Sequence, residues 1–218
     1  MKRRVSWAAA AAIGVLLAAC STLPMPPAAP VYYDLGPGAD PGPTDGAPAG
    51  AAPLVLDRVT ARGLPATGQL VLYRHAYADA YQLQAYRQAR WSRPVETLLA
   101  QQLARRLQVG RPVLTPDQAG IRGFDSERPP AVLIVDLERF EQVFDDPDRS
   151  SGVVRLQATL LMPRGLEPSG GDRLLAQRRF EHAMAASRAD AAGGAQALAQ
   201  ASRAVADDLD AWLRSMGR

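Results

Sequence analysis

The sequence is poor in the residues that build most active sites and disulfide frameworks. It has one cysteine, Cys20, one lysine, Lys2, and two histidines, His75 and His182. A single cysteine excludes an internal disulfide, and neither histidine has a cysteine or carboxylate neighbour at metal-ligand spacing. The Gly-x-Ser-x-Gly, P-loop and Gly-x-Gly-x-x-Gly motifs are missing too, which excludes the nucleophile-elbow, nucleotide and dinucleotide sites that they build. We therefore predict no catalytic residue, no metal site and no cofactor.

A large excess of either charge is also missing from most of the chain. The sequence carries 25 Lys+Arg and 22 Asp+Glu. Three of the basic residues are Lys2, Arg3 and Arg4, so residues 5–218 hold 22 of each sign. A near-neutral domain has no broad basic field, and nucleic acid is therefore excluded as an expected partner.

What is present begins with a segment typical of an export signal. The three basic residues precede an uncharged run over residues 5–19, VSWAAAAAIGVLLAA. That run is shorter than the roughly 20 residues that a membrane-spanning helix needs. A basic head, an apolar run and small residues at its end predict a signal peptide over residues 1–19.

The next residues, Leu17-Ala18-Ala19-Cys20, resemble a bacterial lipobox. The resemblance implies cleavage before Cys20, a diacylglyceryl thioether on its sulfur, and acylation of the new amino group by a chain such as palmitate. Each buried methylene contributes about 0.8 kcal/mol, and two or more chains anchor stably where one is marginal. In enterobacterial lipoproteins an aspartate after the cysteine favours the inner membrane, so Ser21 favours the outer membrane, with inner-membrane anchoring as the alternative.

Two segments rich in proline, glycine and alanine surround a first short strand. Residues 21–30 and 36–53 contain too few large apolar side chains to offset the entropy of ordering them, so we predict extended or flexible chain. Between them, VYYDL at 31–35 alternates in polarity like an edge strand. We assign residues 20–52 to the lipidated N-terminus, this strand and the tether, and residues 53–218 to one domain.

The domain combines alternating strand patterns with two helical patterns. Strands are predicted at 53–61, 69–74, 81–87, 131–144, 153–163 and 173–184, and helices at 91–108 and about 190–216. Strands with one apolar face belong to sheets packed on one side, and Phe140, one position out of register, predicts a bulge near Glu138 and Arg139. The sum is an α+β domain in which two main helices pack on an antiparallel sheet.

Both helices carry further signals. Ser92 is placed to cap the first helix and Pro94 suits its first turn. The second helix has one apolar seam, formed by Leu198, Ser202, Val205, Leu209, Trp212 and Met216. Such a seam packs on the sheet or pairs with a helix of another copy.

An aromatic cluster is the best candidate for a contact surface. It comprises Tyr73, Tyr77, Tyr81, Tyr86 and Trp91, all within 19 residues. Tyrosine and tryptophan concentrate where a surface is half apolar and half wet. We predict contact with a partner or with lipid here, and core packing is the alternative for some of the five.

The order of these features resembles the ABC-type transport auxiliary lipoproteins, the PqiC-like proteins. After the lipobox, the motifs that carry the resemblance are Tyr32-Tyr33-Asp34-Leu35, VTARGLP (59–65), LVLYR (70–74), Arg90-Trp91-Ser92-Arg93-Pro94 with the helix behind it, and the strand from Leu133 to Phe140. The chain departs from the family pattern in the insert at 36–53 and in AYADAY at 76–81, so contacts inherited near those loops are in question.

The resemblance implies a non-enzymatic, lipid-anchored periplasmic subunit with a fold akin to the TolB N-terminal type. It would work beside an ABC or MCE-type (mammalian cell entry) system that moves lipids or other hydrophobic compounds. MCE-domain or permease subunits would be its partners, and the membrane its anchor point, with homo-oligomerisation open. The alternatives are an envelope-assembly lipoprotein that braces an outer-membrane barrel and a periplasmic hydrolase that uses His75 or His182.

Overall fold

The computed structural model describes residues 28–36, 52–65, 68–116, 130–163 and 171–217. The predicted signal peptide, Cys20, Ser21 and residues 37–51 of the Pro/Gly-rich insert lie outside these ranges. Within them the chain forms eight strands and two helices. The strands are β1 (Val31–Tyr33), β2 (Leu54–Thr60), β3 (Leu70–His75), β4 (Gln84–Trp91), β5 (Val113–Leu114), β6 (Ala131–Asp146), β7 (Arg149–Met162) and β8 (Arg173–Ala185), and the helices are α1 (Val95–Gln108) and α2 (Ala191–Ser215).

The sheet is organised around β6. Along one edge β6 pairs with β7 over nearly its whole length, and β7 in turn pairs with β8. Along the other edge, β2 pairs with the first part of β6 and β3 with the last part, both parallel to it. Outside these lie β5 next to β2, and β4 then β1 next to β3, which places β1 at an edge as expected.

The α+β class with two helices is confirmed, but the expected antiparallel sheet is wrong because the sheet is mixed. Pairings of β1 with β4, β2 with β5, β2 with β6 and β3 with β6 are all parallel. Alternating polarity predicts which face of a strand is buried, and it carries no information on the direction of the neighbouring strand.

The inner face of the sheet forms the core. Leu133, Val135 and Leu137 on β6 are fully buried, and the pairing with β7 shifts register between Leu137 and Arg139, which confirms the predicted bulge. Phe140 then returns to the inner face and is buried. One extra residue therefore keeps both halves of a long strand packed on one core.

The opposite face carries a ladder of ion pairs. Glu141 accepts hydrogen bonds from Arg74 and Arg139 and is almost completely buried. Further out, Arg155 forms a bidentate hydrogen-bonded ion pair with Glu181, which lowers the pKa of that carboxyl. Arginine suits such pairs because its planar guanidinium matches a carboxylate.

Helix α1 begins at Val95, after Pro94, and its buried face consists of Val95, Leu98, Leu99, Gln102, Leu103 and Leu107. The expected cap by Ser92 is wrong. Its hydroxyl instead donates to Asp34, 2.7 Å away, just after β1. The contact joins β1 to the connection between β4 and α1, so this serine holds the edge strand.

Helix α2 packs on the sheet through the predicted seam. Leu198, Ser202, Val205 and Leu209 are fully buried, which supports sheet packing rather than pairing with another copy. The helix lies so close to β7 that a Cβ at Gly152 would be 2.5 Å from the backbone nitrogen of Leu198. Only glycine permits this approach of two backbones.

One buried ion pair joins the end of α1 to α2. Arg111 donates to Asp210 over 2.7 Å, and both side chains are almost completely buried. Arg106 and Arg214 also reach Asp210, at 2.8 and 3.1 Å. Desolvation lowers the pKa of Arg111, and the Asp210 charge opposes that shift.

Replacing Gly152 with alanine should push α2 away from β7. Overpacking of this kind costs about 1–3 kcal/mol, so we expect the free energy of unfolding in urea to fall by that amount. The matched control is Gly110→Ala, since a Cβ there has nothing within 4 Å. The control should leave stability unchanged or raise it by about 0.4–1 kcal/mol. Equal effects of the two substitutions would contradict the close approach.

Candidate functional site

The structure separates the five predicted aromatic contact residues into three environments. Trp91 is fully buried and packs edge-to-face on Phe140, with ring centroids 5.3 Å apart. Its prediction as a contact residue is therefore wrong in this fold, because it has no surface to offer. The alternative of core packing applies to it.

Tyr73 and Tyr86 are half-buried neighbours on β3 and β4. Their ring centroids lie 4.5 Å apart, and each hydroxyl donates to a glutamine, Tyr73 to Gln84 at 2.6 Å and Tyr86 to Gln142 at 2.9 Å. Gln142 is fully buried and donates in turn to Ser150. Burial raises the pKa of Tyr86, and the neighbouring Tyr73, Asp190 and Tyr33 add to the shift. Both hydroxyls are thus committed to the fold.

His75 extends this aromatic row towards solvent. Its ring lies 5.1 Å from that of Tyr73, 5.0 Å from Phe144 and 5.5 Å from Tyr77. By the criterion of metal-ligand spacing alone, His75 is isolated in the sequence. The signal that would have found it is the two-residue spacing from Tyr73, which puts both side chains on one face of a strand.

Beyond His75, residues 76–83 form what we call the aromatic loop. Tyr77 is 48% exposed and Tyr81 96% exposed. The backbone NH of Ala76 donates to Phe144 at 2.9 Å, and Arg74 donates to the carbonyl of Ala80 at 2.6 Å. Arg74 also binds Glu141 on β6, so this guanidinium ties the aromatic loop to the sheet.

An Asx turn completes the order of the aromatic loop. The carboxylate of Asp79 accepts a hydrogen bond from the backbone NH of Tyr81 over 2.8 Å. The ring of Tyr81 is therefore held in water by an ordered backbone. An exposed aromatic side chain on an ordered loop loses little entropy on contact, and such residues dominate binding surfaces.

The two histidines lie in different surroundings. His182 is 2.8 Å from Asp208 at the surface of α2, and within the described ranges neither histidine hydrogen-bonds a serine or threonine hydroxyl. Those same residues include no cluster of three or more histidine, cysteine or acidic side chains able to hold a metal ion. None of the helices described is both long and apolar enough to cross a membrane.

The sequence comparison decides the family. The sequence model described as "ABC-type transport auxiliary lipoprotein component" matches residues 33–210. The chain belongs to this family. That confirms the resemblance drawn from the motifs. The match runs from Tyr33, the last residue of β1, into α2, so it covers strands β2 to β8 of this auxiliary lipoprotein. A search of curated proteins found no match.

Solved structures agree with this auxiliary lipoprotein in fold. The crystal structure of protein XCC0632 from Xanthomonas campestris, assigned to the DUF330 family, is 22% identical and has a TM-score of 0.63, covering 84% of this chain and 94% of that one. A second, uncharacterised protein is 17% identical with a TM-score of 0.59, covering 85% and 99%. At these identities the likeness shows the fold alone.

Replacing Tyr86 with phenylalanine should destabilise the auxiliary lipoprotein. The change leaves the buried Gln142 oxygen without its donor, so we expect the free energy of unfolding to fall by about 1–2 kcal/mol. Tyr81→Phe is the matched control and should have no effect, because its ring is in water. Denaturation in urea measures both.

Alkaline titration provides a second readout for Tyr86. The pKa of Tyr86 is raised in the folded state, so above the ordinary tyrosine value of about 10 the folded protein binds more protons than the unfolded chain. Stability should therefore decline as the pH rises past that value, and Tyr86→Phe should make the decline shallower. An unchanged slope would show that Tyr86 ionises as easily in the fold as in water.

Proposed function

We propose that this protein is a non-catalytic lipoprotein of the outer membrane, anchored through Cys20, with its domain in the periplasm. It acts as the auxiliary subunit of an ABC or MCE-type system that moves lipids or other hydrophobic compounds across the cell envelope. The observation that carries the proposal is the family match over residues 33–210. MCE-domain or permease subunits of the transporter are its partners.

The N-terminal sequence supports the anchor. Leu17-Ala18-Ala19-Cys20 ends an apolar run that follows three basic residues, and the family is one of lipoproteins. A thioether at the only cysteine also leaves no free thiol in an oxidising compartment. Residues 1–19 are then the cleaved signal, residues 20–52 link the anchor to the domain through β1, and residues 53–218 complete the domain. Ser21 supports the outer membrane as the destination.

The aromatic loop is the surface that we propose for contact with the transporter. Tyr77 and Tyr81 present apolar area on a fixed backbone, while Tyr73 and Tyr86 support the loop from the sheet. β1 runs parallel to β4 and pairs with its last three residues, so the chain approaches β1 from the side of the sheet on which β4 begins. The aromatic loop precedes β4 and lies on that same side.

Replacing Cys20 with alanine tests the anchor. We expect the variant to lack palmitate label and to leave the membrane fraction, because no acyl chain remains to partition into the bilayer. Ser21→Ala is the control and should remain labelled and membrane-bound. Palmitate labelling of the Cys20→Ala protein would show that Cys20 is not the lipidation site.

Crosslinking in cells tests the contact surface. A photoreactive residue at Tyr81 should capture a transporter subunit, whereas one at Leu174, an exposed apolar position on β8, should not. Tyr81→Ala should reduce co-purification of that subunit more than Tyr81→Phe, which keeps the ring. Capture of the same partner from both positions, or from Leu174 alone, would place the interface elsewhere.

A further inference from the structure

A groove of about 410 Å³ lies between α1 and α2, where the chain leaves β1. Leu35, Val109 and Ala206 give it an apolar floor, and Arg105, Arg106 and Arg203 surround them. Leu35 and Ala206 are buried at the base of the groove, and Val109, which is 51% exposed, marks where it opens to solvent. An apolar floor beside several guanidinium groups suits a ligand with one apolar and one anionic part.

Within the described ranges, two of these three arginines have no carboxylate partner. Arg106 binds Asp207 and Asp210, and the hydrogen bond to Asp207 raises its pKa. Arg105 and Arg203 instead donate to backbone carbonyls, Arg105 to Gln101 at 3.3 Å and Arg203 to Leu35 at 3.4 Å. Among the residues that the structure describes, neither lies within 4.0 Å of a carboxylate.

The charge balance of the groove is therefore positive. Asp207 is the acidic residue in its lining, and Arg106 already neutralises it. The carboxyl end of α1 disfavours an anion, and Arg105 and Arg106 in its last turn offset that dipole. The two remaining guanidiniums are free to bind an anion in the planar geometry that arginine favours.

Gln102 is a second, independent polar feature of the groove. It lines the groove and is only 8% exposed, and its Nε2 has no hydrogen-bond partner in the described structure. A buried amide donor without an acceptor is unfavourable, and a leucine of similar size would avoid the penalty. This nitrogen has almost no accessible surface, so an acceptor atom of a molecule in the groove would satisfy it once the Gln102 amide turns toward the groove.

The size of the groove indicates a small molecule rather than a macromolecule. Pockets of about 300–1,000 Å³ are typical of small-molecule sites. A stable protein interface buries about 1,200–2,000 Å² over a broad surface. An acidic segment of a partner protein would therefore fit this groove less well than an amphiphile with a single chain.

We propose that this groove binds a long-chain fatty acid. Its carboxylate lies between Arg105 and Arg203 and accepts a hydrogen bond from Gln102, while its chain covers Leu35, Val109 and Ala206. A fatty acid is one class of the hydrophobic compounds named in the proposed function, and the biological role of its binding rests on that function.

Photolabelling of the lipidated full-length protein in nonionic detergent tests the proposal. The probe is a palmitate analogue with a diazirine in its chain, and labelled peptides are mapped by mass spectrometry. We expect labelling at Val109, Ala206 or Leu35, with competition by palmitate. Hexadecanol lacks the charge and acetate lacks the chain. Each should compete at least about tenfold more weakly than palmitate, which corresponds to a loss of about 1.4 kcal/mol of binding free energy.

Variants separate the groove from general partitioning of the probe. The double variant Arg105→Gln with Arg203→Gln should reduce groove labelling about tenfold, which corresponds to the loss of one charge-assisted contact. Arg93→Gln, an exposed arginine just before α1, is the control and should label normally. Gln102→Leu should reduce labelling while thermal stability stays equal or rises, because the unpartnered amide is gone.

Several outcomes would overturn the proposal. Labelling spread over the surface, or unchanged in the double variant, would show partitioning without a site. Equal competition by hexadecanol and palmitate would show that the arginines do not recognise the carboxylate. Displacement of the probe by a short acidic peptide but not by palmitate would assign the groove to a protein partner. Failure of the proposed function would give a different result from failure of this proposal: crosslinks from Tyr81 to a transporter subunit would be missing while labelling of the groove stayed intact.

Discussion

The fold depends on hydrogen bonding along both edges of β6. One edge pairs continuously with β7, while the other is divided between β2 and β3. Residues 137–141 separate the two parallel pairings, and the bulge falls in this interval. Gly63, in the β2–β3 connection, lies so close to β6 here that a Cβ would be 2.7 Å from the Glu138 carbonyl oxygen. The placement of β4, β1 and the aromatic loop follows from where β3 attaches.

Local patterns predicted the elements well but not their arrangement. Burial on one side produces the two-residue alternation on β6, β7 and β8 and the apolar seam on α2. Each residue of a strand or helix faces either the core or water, and its polarity follows from that. Even the bulge at Glu138 and Arg139 is visible, because it moves Phe140 out of register. Strand direction depends on the path of the connections, and parallel pairs such as β2 with β6 join residues more than 70 positions apart.

The candidate site was predictable only in part for the same reason. Five aromatic residues close in sequence suggested one surface, yet Trp91 points into the core and Tyr81 into water. The groove depends on Arg105 and Arg203, which belong to different helices and look like ordinary solvated arginines when read singly. Arg111 and Asp210, 99 residues apart, likewise form a pair that no local pattern reveals.

The edge position of β1 limits how far the domain can move if Cys20 is its anchor. Eleven residues, 20–30, precede β1, and a chain of that length spans at most about 36–40 Å when fully extended. The sixteen residues of β6 extend over about 50 Å. A linker of this length would be shorter than the domain that it holds, so it would keep the start of β1 within about 40 Å of the lipid anchor.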